Sequence, residues 1–168
     1  MKNSCKKESF RVKTVFCVLP ALIWTGIIVS FSLQSANVSS DTSLGFLKKI
    51  VDMFLPWFSD NLEMLSGGEL DMLNTIIRKG AHFTEFMILG ILTMLAVKYT
   101  VNVNWRNKGL VSIVYCVLVA AADETVQLFV AGRAGRVADV LLDSTGAATG
   151  VGIFLLFSCL GVVRISGK

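Results

Sequence analysis

Three short segments concentrate most of the groups able to do chemistry. RKGAHFTEF places Arg78, His82 and Glu85 at i, i+4 and i+7, on one face of a helix, with Lys79 beside them. AADETVQLF sets Asp123 and Glu124 one turn before Gln127, the tight-turn sequence AGRAGR supplies Arg133 and Arg136, and VADVLLDSTG spaces Asp139 and Asp143 at i, i+4. Guanidinium and ammonium groups bind phosphate or carboxylate, and a carboxyl removed from water can act as a general base. Glu85, Asp123, Glu124, Asp139 and Asp143 are therefore the candidate catalytic groups, and Arg78, Lys79, His82, Gln127 and Arg133 the candidate ligand-binding groups. His82 and Glu85 at i, i+3, with acids from two other helices, could also hold a divalent metal. Against this, the neighbouring bases Arg78, Lys79, Arg133 and Arg136 favour internal ion pairing, so the metal question stays open and no cofactor is expected. No P-loop, HExxH motif or Ser-His-Asp order assigns a known enzyme class.

The elements that carry these groups must cross a membrane. In 168 residues the hydrophobic fraction is 54% and the charged fraction 17%, with a mean hydropathy of +0.67. Soluble domains run near 25% charged, so this apolar surface calls for lipid. The net charge of +4 is scattered between apolar runs, and no basic stripe interleaved with aromatics is present to follow a nucleic-acid backbone. Cys5, Cys17, Cys116 and Cys159 lack metal-type spacing.

Four apolar runs, at 14–33, 80–97, 110–130 and 137–163, are long enough to span as helices. None alternates with period two, so the expected fold is an all-α integral membrane bundle. The first run exceeds the h-region of a signal peptide and is read as a span, with Pro20 near its first turns or at a kink. Lys2, Lys6, Lys7, Arg11 and Lys13 precede the first span, Lys98, Arg106 and Lys108 fall between the second and third, and Arg164 and Lys168 follow the fourth. The other side carries Lys48, Lys49, Arg78, Lys79, Arg133 and Arg136, offset by acids in the long first loop. The positive-inside rule then puts both termini in the cytoplasm and the polar segments together in the outer half of the membrane. Charges at that depth are functional by default, although a network that only staples helices together has the same composition.

The loop 34–77 is too long to be a bare connection. Leu47, Ile50, Val51, Phe54, Leu55 and Phe58 recur at helical spacing, which describes an external amphipathic helix, lying either in the membrane interface or on the bundle as a lid. Ser66 and Glu69 fit a capping box, so the second membrane helix should begin outside the bilayer and run inward unbroken. Gly146-x-x-x-Gly150 suits close helix packing within the chain more than dimerisation.

RKGAHFTEFMILG, followed by DETVQLFVAGRAGRVADVLLDSTGAATG, resembles the VanZ-like family of bacterial membrane proteins, from about Ile77 to Gly150, and FSLQS resembles the end of that family's first helix. The pattern carries over to Arg78, Lys79, His82, Glu85, Asp123, Glu124, Gln127, Arg133, Asp139 and Asp143, and departs at Ala131, where members often have Pro. The resemblance implies a single VanZ-like domain over 1–168 in the bacterial cell membrane, and a link to low-level resistance to the lipoglycopeptide teicoplanin.

Two functions follow as expectations. One is an envelope enzyme or binder acting on an amphiphile, with membrane lipid, a lipid-linked envelope precursor or a lipoglycopeptide as partner. The other is a non-catalytic protein that alters antibiotic access or partner assembly. A transporter fits less well, because the inner halves of the spans offer almost no polar groups. The orientation predicts that a cysteine introduced at Ser59 reacts with an impermeant maleimide from outside intact cells; labelling only after permeabilisation would reverse the topology.

Overall fold

The computed structural model describes residues 2–54, 56–58 and 65–161; side chains are described from Thr14 onward, except at Ile50 and Phe58. Among the described residues the fold is carried by helices α1 (Lys2–Ser32), α2 (Ala36–Phe54), α3 (Gly67–Thr100), α4 (Trp105–Gln127) and α5 (Val137–Cys159), with a 3-10 turn at Pro56–Phe58. Four of them are long and apolar enough to cross a membrane, with spans at Thr14–Ser32, Gly67–Thr100, Trp105–Gln127 and Val137–Cys159. The chain is an all-α membrane bundle. Ser59, Leu55, Arg164 and Lys168 lie outside the described residues.

The spans present apolar side chains outward: Phe16, Leu22, Leu118, Leu141 and Leu156 are exposed, whereas Asp123 and Asp143 are fully buried. This inversion is what a bundle in lipid requires, since hydrocarbon tails can cover the leucines but cannot solvate the carboxyls.

Several ends differ from the sequence expectation for local reasons. The third span stops at Gln127, not 130, because the chain turns at once: the Arg133 N–H bonds the Val130 carbonyl at 3.1 Å and Gly132 takes a positive φ of 75°, a conformation that glycine adopts without a Cβ penalty. The fourth stops at Cys159, where Gly161 with φ 76° follows the C-cap Leu160. Pro20 lies in the second turn of the span that begins at Thr14, inside a helix that starts well before it at Lys2. At the start of α3, Glu69 Oε2 accepts the Ser66 backbone N–H at 2.9 Å and the Ser66 hydroxyl at 2.7 Å, and the helix then runs unbroken to Thr100.

The amphipathic helix of the long loop starts earlier than its apolar stripe suggests. α2 begins at Ala36, where the backbone N–H bonds the Ala131 carbonyl at 3.3 Å, so the start of α2 is tied to the turn before α5. It packs against α3 with Val51 buried, while Phe46, Met53, Phe54 and Trp57 remain exposed.

Helices α3 and α5 approach each other backbone to backbone. A Cβ added at Gly146 would strike the Phe83 carbonyl oxygen, at Gly90 the Ala147 carbonyl oxygen, and at Gly150 the Met87 carbonyl oxygen. The glycines thus seat backbone on backbone within the chain. Around this seam pack Ile28, Phe86, Leu89, Cys116, Ala120 and Ala147. α1 is docked by Trp24 Nε1, which donates to the Glu85 carbonyl at 2.9 Å, and by Thr25, whose hydroxyl is 3.1 Å from that of Tyr115 on α4.

Gly150→Ala is expected to cost about 1–3 kcal/mol through overpacking. Gly152→Ala, with nothing within 4 Å of the added Cβ, is expected to stay within about 0.5 kcal/mol of the parent. Thermal unfolding of both variants in detergent checks the contrast.

Candidate functional site

The seam between α3 and α5 determines what can meet at one end of the bundle. Gly146 sits on Phe83; His82 immediately precedes Phe83 in sequence, and Asp143 lies one turn before Gly146. The small residues therefore bring His82 and Asp143 to the same level. α4 adds Asp123, so that one ligand atom each from His82, Asp123 and Asp143 lies within 4.8 Å of the others.

Asp123 and Glu124 are adjacent in sequence but separated by about 100° around the helix, and they turn to different tasks. Asp123 faces α1: its Oδ1 accepts the hydroxyl of Ser32 and its Oδ2 accepts Gln127 Nε2 at 2.9 Å. Glu124 faces the turn before α5, where its Oε2 accepts the Arg136 backbone N–H at 2.8 Å. A carboxylate at that position meets the positive end of the α5 dipole. Asp139 pairs with Lys79, Oδ1 to Nζ 3.1 Å. Asp143 is fully buried, and neither of its carboxyl oxygens has a hydrogen-bond partner among the described residues.

The compensated network that five acids and five bases made possible does not form among the described residues. In this cluster the described residues make one ion pair, Lys79–Asp139. The physical reason is geometric: Asp123 and Asp143 are fully buried between the helices, whereas the half-buried Arg78 and Arg133 line the cavities beside them. Arg133 reaches the Phe31 carbonyl with Nη2 at 3.5 Å, and its Nε has no partner among the described residues. Burial, followed by the neighbouring Arg78, pushes the Arg133 guanidinium below its usual pKa. It remains a cation at any physiological pH.

Two adjoining cavities, each of about 130 Å³, meet at these arginines. Arg78, Lys79, His82, Gln127, Arg133 and Asp143 all line the first. The second shares Arg78, His82 and Arg133 with it and adds Glu85, Gln34 and the α2 hydroxyls Ser39, Thr42 and Ser43. Glu85 lines the second cavity and not the first, apart from the His82–Asp123–Asp143 cluster. Of the groups that the sequence allowed as metal ligands, His82 and Glu85 with acids of two other helices, the atoms that converge among the described residues are those of His82, Asp123 and Asp143.

A family model described as VanZ/LLP1 matches residues 16–158, most of the chain. The chain belongs to the VanZ/LLP1 family. No curated protein and no solved structure matches it. Among the residues that line the cavities or touch the triad in this VanZ/LLP1 protein, Ser32, Ser39, Thr42 and Ser43 were not anticipated from sequence. Ser32 lies within FSLQS, a polar interruption at the end of an apolar run, and that was the available signal. The α2 hydroxyls carried none, because their helix was read only from its apolar stripe.

Ser32→Ala removes a donor from a buried carboxyl group and is expected to destabilise the protein by about 1.5–3 kcal/mol. Ser30→Ala, whose exposed hydroxyl bonds only the Ile27 carbonyl, should be close to neutral. Unfolding midpoints of the two variants distinguish them.

Proposed function

We propose that this VanZ/LLP1 protein binds the anionic head of an amphiphilic envelope ligand in the outer leaflet of the bacterial cell membrane, with both termini cytoplasmic. The observation that carries this reading is the pair Arg78 and Arg133, which line both cavities without forming an ion pair to a described carboxylate. Half-buried guanidinium groups held open toward a cavity suit bidentate recognition of phosphate. The size of the site supports a head group and not a whole antibiotic: about 130 Å³ falls well below the roughly 300–1,000 Å³ of pockets that enclose drug-sized ligands. An apolar tail would remain in the lipid beside exposed α2 residues such as Phe46 and Phe54. The family link to teicoplanin-type resistance fits a protein that handles lipid-linked phosphate or glycan, the setting in which lipoglycopeptides act. Of the candidate catalytic carboxyls, Glu85 and Asp143 line the cavities without an ion-pair partner among the described residues, and in an enzyme these would act on such a ligand.

A second reading, a non-catalytic protein altering antibiotic access or partner assembly, draws on the structural engagement of Asp123, Glu124 and Asp139. Mass spectrometry of envelope lipids and glycans from cells with and without the protein separates the two. A changed covalent species favours an enzyme; unchanged chemistry with altered drug binding favours the second reading.

Binding itself is tested by titrating the purified protein in detergent with a polyprenyl phosphate and with the matching neutral polyprenol. The phosphate should bind and the alcohol should not. Loss of one charge-assisted contact in Arg133→Gln, about 1.5–3 kcal/mol, should weaken phosphate binding roughly 10- to 150-fold. Equal binding of the alcohol, or an unaffected variant, would remove the anion site.

A further inference from the structure

The fully buried Asp143 has no partner for either carboxyl oxygen, and this is the least accounted-for feature of the site. A buried carboxyl group without a hydrogen bond or counter-ion is costly. Here it stands next to a second fully buried carboxyl group, Asp123, and next to His82, whose Nδ1 is also buried and unpartnered among the described residues. The cations of the cluster do not resolve the problem. Lys79 is engaged with Asp139, and no described guanidinium group comes within ion-pair distance of Asp123 or Asp143.

We propose that His82, Asp123 and Asp143 form a binding site for a divalent first-row transition metal, Mn²⁺ or Zn²⁺. Their ligand atoms lie within 4.8 Å of one another. Metal–ligand bonds of about 2.0–2.2 Å set donors roughly 3–3.5 Å apart, so small side-chain rotations close the set. One imidazole with two carboxylates is a mixed N,O donor set: the imidazole favours transition ions over Mg²⁺ or Ca²⁺, and the carboxylates admit Mn²⁺ as well as Zn²⁺, with Zn²⁺ the more tightly bound at equal concentration. The cation would neutralise two carboxylates that otherwise repel each other at close range.

The surroundings are those of a built site. Ser32 and Gln127 each occupy one oxygen of Asp123 and hold its carboxyl plane, as outer-shell partners of metal ligands do. Each carboxylate oxygen keeps a further lone pair for an ion. Three protein ligands leave coordination positions free. His82 and Asp143 both line the first cavity beside Arg78 and Arg133, so the open side of the ion faces the space where an anionic head would enter. This last element rests on the phosphate reading above; the metal site itself does not.

The test uses the untagged full-length protein in detergent, stripped with EDTA, loaded with Mn²⁺ or Zn²⁺ and freed of excess ion by gel filtration. Elemental analysis is expected to find about one ion per chain, with a raised unfolding temperature that EDTA reverses. His82→Gln and Asp143→Asn should lose the retained ion. Gln127→Leu, one shell further out, should weaken binding roughly 10- to 100-fold, and Ser30→Ala should bind as the parent does. Because Asp143→Asn could fail to fold, the decisive measurement is on the parent protein: no retained Mn²⁺ or Zn²⁺ overturns the site, as does full retention by a folded Asp143→Asn variant. Polyprenyl phosphate titrations of stripped and loaded protein keep the two proposals separate. Phosphate binding without any retained metal leaves the anion site standing and removes this one. Retained metal without phosphate binding does the reverse.

Discussion

Backbone-to-backbone contact between α3 and α5 is the constraint on which the rest of the bundle depends. In lipid there is little hydrophobic gain from bringing two apolar helices together, so association relies on close packing and on polar contacts. Gly90, Gly146 and Gly150 supply the packing by seating each helix on carbonyl groups of the other. The depth at which they do so sets His82 beside Asp143, and the remaining helices are arranged around that register. α4 brings Asp123 and Glu124, α1 brings Ser32, and the turn around Gly132 brings Arg133 back over the end of α1.

The cluster divides by role. Glu124 and Asp139 are engaged at the entry to α5, one by the Arg136 backbone and one by Lys79, and both hold the helix start where the dipole favours negative charge. Asp123 is oriented by Ser32 and Gln127. Asp143, Arg78 and Arg133 are left without charged partners among the described residues, on either side of a common space. A network built only for assembly would have joined these groups, because a buried charge left without its partner is strongly destabilising. Their separation is the structural reason for reading the cluster as a site for something brought from outside the chain.

The α2 segment joins this site to an exposed apolar surface. Its first turns place Ser39, Thr42 and Ser43 along the second cavity, and the hydroxyls of Thr42 and Ser43 are satisfied by the carbonyls of Val38 and Ser39. Its later turns bury Val51 against the bundle and leave Phe46, Met53 and Phe54 outward. One helix therefore presents a polar wall to the cavity and an apolar face away from it.

What the sequence alone determined was whatever depends on local composition and spacing. Lipid was implied by hydropathy, four spans by the length of the apolar runs, and the unbroken start of α3 by Ser66 and Glu69, because each of these is settled within one segment. The i, i+4, i+7 placement of Arg78, His82 and Glu85 correctly put them on one helix, and the family pattern marked the polar residues that gather at one end of the bundle. The tertiary structure decided the pairing. Spacing along a helix cannot say that Gly146 will rest on Phe83, that Asp123 will turn toward Ser32 while Glu124 turns toward Arg136, or that Glu85 will fall into a different cavity from Asp143. Those outcomes depend on the rotation and relative depth of separate helices, which are set by backbone contact between segments far apart in the chain.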